Sequence, residues 1–533
     1  MLPTMMESQL SIADLIEHAG LYHPHGEIVS RCVEGGIHRY TYQDSLKRIK
    51  KLANALLELG VKQGDCVATL AWNTYRHFEL YYAISGVGAI THTINPRLFA
   101  EQITYIINHA EDRIIFVDLT FVALLEEIKD QITAVQKIVV MTDRQNMPTS
   151  SLELICYEEL IAPQANEFEW QRFDETTPAA LCYTSGTTGN PKGVLYTHRS
   201  TLLHAYCAAQ VLKIDCLNVI LPVVPMFHVG AWGIPYFAPQ SGCKLVMPGA
   251  GLDGKALYEL IDAEQVDCLV GVPTVWLNLL NHLRETGQKL TSVSRTLVGG
   301  AAAPLSMIRE FQQQHDVFLL HGWGMTEMSP VGTVNCLTPE MAKMPLEERY
   351  QAQLRQGKPV FGVQLKIVDD QGNELPRDGK SFGRLLTRGP WIANSYFKNA
   401  DRSSWVNGWF DTGDVATLSP DGYMQIVDRS KDVIKSGGEW ISSMDLENAA
   451  MGHAAVKEAC VIGVPHPKWN ERPLLLVTTH QATSKESIMN YLSDKVAKWW
   501  LPDDIIFVDE LPHNATGKLY KLNLRQQYKD HLS

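Results

Sequence analysis

The stretch from Tyr183 to Gly193, YTSGTTGNPKG, constrains this chain more than any other part of it. The residues leading into it, AALCYT (179–184), read as a short buried strand, and the sequence then has a loop followed by a helix beginning near Val194. Glycines let backbone N–H groups close on an anion, the hydroxyls of Thr184, Ser185, Thr187 and Thr188 add donors, and Lys192 adds positive charge. A helix N-terminus behind the loop would add to its affinity for phosphate. The Walker spacing G-x-x-x-x-G-K-[ST] is not met, because Gly186 and Gly189 stand too close together and Gly193 follows Lys192. A P-loop kinase or GTPase is thereby disfavoured, while an α/β body around a phosphate loop is expected.

The rest of the chain agrees with such a body. Short β-rich runs such as NVILPVV (218–224), DCLVGVP (267–273), RTLVGG (295–300) and VFLLHG (317–322) alternate with helical stretches at 200–212 and 254–265. The texture changes after Arg429. KDVIKS, VKEACVIGV, RPLLLVTTH and IIFVDEL read as strands, mixed with helices at 444–451 and 484–499. We therefore expect an N-terminal body over residues 1–430, its sheets flanked by helices, and a small α+β domain over 431–533. The polar run DRSKD (428–432) suits a hinge between them. At 533 residues the chain exceeds a single core.

Composition excludes several classes. A formal charge of −12 argues against a nucleic-acid surface. No run of about 18 apolar residues offers a membrane span. The start, MLPTMMESQLSIADLIEH, lacks the basic region of a signal peptide, so the cytoplasm is the expected compartment. The ten cysteines form no C-x-x-C pair and the histidines no H-E-x-x-H, which disfavours disulfides and zinc.

Further segments complete a pattern: GGAAAP (299–304), HGWGMTE (321–327), WFDTGD (409–414), DRSKDVIKSGGEWIS (428–442) and NATGK (514–518). In this order, with the loop at 183–193, they resemble the adenylate-forming superfamily of acyl-CoA synthetases, luciferases and peptide-synthetase adenylation domains. The resemblance covers essentially the whole chain. It implies that ATP and a carboxylic acid form an acyl-AMP, and that coenzyme A then takes the acyl group. Two anions must meet in the first step, so cations and fixed donors are required.

The resemblance also assigns roles. Glu327 and Thr184 would hold Mg²⁺ across the phosphates, the oxygen ligands such an ion prefers. Thr326 would bond the α-phosphate, and the loop Thr184, Ser185, Gly186, Thr187, Thr188, Gly189 with Lys192 would cradle the rest. Asp414 would accept from the ribose hydroxyls, with Arg429 supporting the sugar. Adenine would lie along Gly300, Ala301 and Ala302 and the His321–Gly322–Trp323 segment, where Trp323 replaces the tyrosine of many relatives and keeps the stacking. Lys518 would bridge carboxylate and phosphate during adenylation, then leave as the small domain turns about Lys431. Lys435, Gly437, Gly438, Glu439 and Trp440 would line the channel for the CoA arm.

The acid is read from PMFHVGAWGIPYF (225–237). By resemblance His228 is a catalytic residue beside the acyl-adenylate, and Val229, Trp232 and Gly300 complete the acyl pocket, Trp232 at its mouth. No Asp or Glu occurs from Val223 to Pro239, so an amino-acid ammonium would find no partner there. GEWISS and HPKWNERP (466–473) resemble the medium- and long-chain fatty acid ligases, with medium chains preferred. A CoA ligase for a short or branched acid such as methylmercaptopropionate remains the alternative. Homodimers are expected from the long-chain branch.

Overall fold

Two sheets rich in parallel strands carry the chain from Glu27 to Pro359 in the computed structural model, which describes residues 5–184, 190–437, 439–513 and 519–532, the side chains of Glu439 and Trp440 excepted. One sheet runs in the order Leu154–Cys156, Lys137–Val140, Ile114–Val117, Cys66–Leu70, Ile90–Thr93, Pro178–Tyr183, Gly193–Thr197, parallel except for its last pair. The other has nine strands, parallel from Phe318–Gly324 through to Glu27–Arg31 and antiparallel at both edges. Runs such as Cys268–Gly271 and Ile114–Val117 are apolar and buried throughout, as strands covered on both faces must be. Between the sheets lies Tyr75–Gly86, a helix buried on every side, beside His198–Leu212 and Ile234–Ser241.

The segment after the phosphate loop differs from expectation. Gly193–Thr197 is a strand, paired antiparallel with Pro178–Tyr183 so that Tyr183 faces Gly193. The helix starts only at His198, where the Thr197 hydroxyl accepts from the Ser200 N–H. Val194, Leu195, Tyr196 and Thr197 are β-branched or large residues that favour a pleated surface, and Thr197 ends the strand as a cap. The loop therefore closes a hairpin. The helix N-terminus expected directly behind the loop stands instead at His198, beyond the strand.

A five-stranded antiparallel sheet follows, built on Gln364–Val368, Phe382–Arg388 and Trp409–Leu418, with Trp405–Val406 and Met424–Arg429 both pairing to the long third strand. The last sheet belongs to the C-terminal unit. Val456–His466 and Asn470–Thr479 form its long hairpin, flanked by Asp504–Phe507 and by Ile434–Ser436 with Glu439–Ile441. Helices Ser443–Met451, Lys485–Ser493 and Lys521–Gln527 cover it, over clusters centred on Val461 and on Leu476. The helix expected to reach Trp499 stops at Ser493. Beyond it Lys498–Trp500 is a separate short turn, and Arg472 donates to the carbonyls of Trp499 and Leu501, each at 3.0 Å. Across the expected hinge, the Ser442 hydroxyl donates to Val427 O and the Ser443 N–H to Asp428 Oδ2, both at 2.6 Å. Among the described residues no helix is long and apolar enough to cross a membrane.

Candidate active site

Asp414 is positioned by strand register. Trp409–Leu418 and Met424–Arg429 run antiparallel with Asp414 opposite Arg429, and Arg429 Nε donates to Asp414 Oδ1 at 2.9 Å. The other oxygen, Oδ2, accepts from the Trp323 indole N–H at 2.9 Å. Asp414 is buried, and two donors satisfy its charge. Replacing tyrosine by tryptophan at 323 thus keeps a polar contact, directed at Asp414. The strand Phe318–Gly324 carries this indole and has an irregular register between Trp323 and Gly324. His321, buried earlier on the same strand, donates from Nδ1 to Leu354 O, and burial lowers its pKa to about 4, so it is neutral. Gly322 packs on Leu297 and the main chain of Thr333.

Gly300 has φ +78°, a conformation that disfavours side chains, and it lies exposed with Ala301 beside it. Together with half-buried Ala302 these residues form a small-residue shelf after the strand Arg295–Val298.

Three hydrogen bonds brace Glu327 and its neighbour Thr326. Tyr396 OH donates to Glu327 Oε1 at 2.6 Å, Ala393 N–H donates to Glu327 O at 2.7 Å, and Tyr196 OH donates to Thr326 O at 2.7 Å. Burial raises the Glu327 pKa, and the Tyr396 hydrogen bond opposes that shift. Lys192 places its ammonium 4.7 Å from the centre of the Tyr396 ring. Thr184 is tied to Lys192 by two bonds, Thr184 N to Lys192 O at 2.9 Å and Lys192 N to Thr184 Oγ1 at 3.2 Å. Contacts thus link Thr184, Lys192 and Glu327 through Tyr396, a residue that sequence reasoning does not mark. Tyr196 goes unmarked as well. Ser185, Gly186, Thr187, Thr188 and Gly189 lie outside the described residues.

The acyl side is built on a left-handed turn. Val229, Gly230, Ala231, Trp232 and Gly233 all have positive φ, between 46° and 84°. Three of them carry side chains, and left-handed backbone costs roughly 1–2 kcal/mol for each. The Val229 N–H donates to Cys182 Sγ at 3.3 Å, which anchors the start of the turn. The half-buried Trp232 indole presses on Gly299, where an added Cβ would meet it at 2.9 Å, and borders Gly300. Behind the turn lies a cavity of about 30 Å³ lined by Tyr81, Cys182, Tyr196, Thr201 and His204. On the Trp232 side is an apolar chamber of about 10 Å³, walled by Val211, Leu212, Phe237, Leu297 and Val334. A water needs roughly 10–15 Å³ on this measure, so the chamber is essentially filled. His228 stands half-buried at the head of the turn, its N–H on Pro225 O.

In the C-terminal unit, Lys431 and Lys435 are exposed, and desolvation lowers the Lys431 pKa. Gly437 has φ +61° and donates its N–H to Trp469 O at 2.8 Å. A Cβ on it would sit 3.0 Å from the Trp469 ring and 3.3 Å from Trp499. Those two indoles meet edge to face at 4.9 Å, an aromatic wall absent from the sequence-based expectation. Gly438, the Glu439 and Trp440 side chains, and Lys518 lie outside the described residues.

Two family models match: AMP-binding enzyme over residues 17–397, and AMP-binding enzyme C-terminal domain over 445–518. The chain belongs to the AMP-binding enzyme family. It is 50% identical over 538 residues to a 3-methylmercaptopropionyl-CoA ligase of Ruegeria lacuscaerulensis, covering 100% of both chains. It is 48% identical to a medium-chain-fatty-acid–CoA ligase of Ectopseudomonas oleovorans, covering 99% of this chain and 98% of that one. Among solved structures it is similar to the anthranilate CoA ligase AuaEII in complex with anthranoyl-AMP, at a TM-score of 0.88, 26% identity and 98% coverage of each chain.

Proposed function

We propose that this chain, an ATP-dependent AMP-forming acid–thiol ligase, activates a fatty acid, medium chains preferred, and transfers it to CoA. The carboxylate attacks the α-phosphorus of ATP, a P–O bond forms and pyrophosphate leaves. The CoA sulfur then attacks the acyl carbon, a C–S bond forms, and AMP leaves with the C–O electrons. The observation that carries this reading is a shared wall. The Gly299–Gly300 segment backs the Trp232 indole on one side and opens on the other into the small-residue shelf that would seat adenine. Acid and nucleotide therefore meet at one place.

In this scheme Asp414 and Arg429 hold the ribose and Trp323 stacks on adenine. Thr326, Lys192 and the loop 184–189 bind phosphate. The buried carboxylate of Glu327 and the hydroxyl of Thr184 are oxygen donors of the kind that would suit Mg²⁺. Glu327 and Thr184 would hold it, and when bound it neutralises charge on the departing pyrophosphate. Lys518 serves adenylation. Residues 431–533 would then turn as a domain about Lys431, against the body at 1–430, to bring Gly437, Gly438 and Trp440 to the site for CoA. We extend the reading to a cytoplasmic homodimer, for which sedimentation should give twice the 59.7 kDa chain mass.

A second reading is favoured by a specific observation. The 50% identity over the whole chain to the Ruegeria 3-methylmercaptopropionyl-CoA ligase supports a short acid such as 3-methylmercaptopropionate as the substrate. Thioester formation across straight acids from C3 to C16 plus that thioether acid separates the two. Product from C6–C12 acids supports the first. Product from the thioether acid alone replaces it with the second.

A further inference from the structure

Glu327 is held at both ends by one closed circuit of contacts. Its side-chain Oε1 accepts from Tyr396 OH at 2.6 Å. The Tyr396 ring meets the Trp405 ring nearly edge to face, 5.1 Å between centres at 72°. The Trp405 indole N–H donates to Ala393 O at 2.6 Å, and Ala393 N–H returns to Glu327 O at 2.7 Å. A face of the Tyr396 ring seats the Lys192 ammonium, 4.7 Å from its centre. One tyrosine thus touches both the carboxylate assigned to the cation and the lysine of the phosphate loop.

We infer that Tyr396 is the positioning residue that presents Glu327 to the magnesium of the nucleotide, an inference that rests on reading Glu327 as the metal carboxylate. A carboxylate has about four acceptor sites on two oxygens. Committing Oε1 to the phenol fixes the rotation of the group, so Oε2 has one direction in which to face a cation. Without the phenol, a buried carboxylate lacks its donor and turns to find another. Removing such an outer partner lowers metal affinity by about 10–100-fold in comparable sites. The ring acts separately from the hydroxyl, since it seats Lys192 whether or not the hydroxyl is present.

Tyr396→Phe and Tyr396→Leu distinguish the two roles, because Phe keeps the ring and Leu does not. ATP binding is titrated by calorimetry in EDTA and in stepped Mg²⁺, and Mn²⁺ bound with ATP is counted by paramagnetic resonance. For Tyr396→Phe, ATP affinity in EDTA should match wild type within about 2-fold, while the Mg²⁺ or Mn²⁺ needed should rise about 10-fold or more. CoA transfer from pre-made acyl-AMP, in which Glu327 takes no part on this reading, should also be unchanged. Tyr396→Leu should in addition weaken ATP binding in EDTA. A Tyr396→Phe protein with the wild-type metal dependence overturns the inference. So does one that loses ATP binding equally in EDTA, which would mean a packing role. Glu327→Gln is the control for the underlying reading: it should raise the Mg²⁺ or Mn²⁺ needed at least as far as Tyr396→Phe does, and if it leaves the wild-type dependence intact, the assignment of Glu327 fails and this inference falls with it.

Discussion

Trp232→Ala should move the chain-length preference of this ligase toward longer acids. The indole stands between the shelf at Gly299–Gly300 and an apolar chamber of about 10 Å³ walled by Val211, Leu212, Phe237, Leu297 and Val334. Truncation to Ala removes the whole indole and joins that space to the chamber. Octanoate carries four more methylenes than butyrate, and each buried methylene contributes about 0.8 kcal/mol, roughly 3 kcal/mol together. At about 1.4 kcal/mol per decade this is a gain of about 200-fold in the C8:C4 ratio of kcat/KM, or roughly 10-fold if half the tail is buried. Trp232 is half-buried, so the variant should lose about 2–3 kcal/mol of stability, less than a fully buried aromatic would, and remain folded. The assay is thioester formation with C4 to C12 acids, beside a thermal melt. A C8:C4 ratio within 2-fold of wild type, in a folded protein, would refute the placement of the acyl tail behind Trp232.

Three other outcomes follow from the site. Asp414→Asn keeps the shape but removes the charge facing Arg429 and the ribose. At roughly 1.5–3 kcal/mol for a charge-assisted bond, ATP affinity by calorimetry should fall about 10–150-fold. Gly437→Leu places a branched side chain at φ +61° with its Cβ 3.0 Å from Trp469, and should slow CoA transfer from acyl-AMP at least about 100-fold while pyrophosphate exchange changes less than about 3-fold. Impaired exchange with intact transfer would reverse the loop assignment. Lys518→Ala should do the opposite, abolishing adenylate formation and sparing transfer. Equal loss of both steps would contradict the turning of the small domain.

Much of this site is legible in the sequence because its chemistry sits in short contiguous motifs. WFDTGD and DRSKD mark Asp414 and Arg429, and antiparallel pairing then places them face to face. What stays hidden depends on tertiary contact. Tyr396 and Tyr196 reach Glu327 and Thr326 across 69 and 130 residues, and no local pattern marks a tyrosine for that role. The left-handed run at Val229–Gly233 is imposed by packing between two cavities. Gly230 and Gly233 hint at it, but Val229, Ala231 and Trp232 argue locally against it. The strand Gly193–Thr197 defies the expectation of a helix, which comes from phosphate loops being so often followed by one. Its β-branched and aromatic residues are the better guide. Near the C-terminus, the helix expected through Trp499 ends at Ser493, and Lys498–Trp500 forms a separate short turn.

The account stands on acyl-AMP forming in one pocket before any thiol arrives, and isotope exchange between labelled pyrophosphate and ATP reads that step alone. With Mg²⁺, ATP and a competent acid but no CoA, label should enter ATP, and leaving out the acid should stop it. A folded protein that makes thioester yet exchanges no label with any acid of the panel would contradict the account.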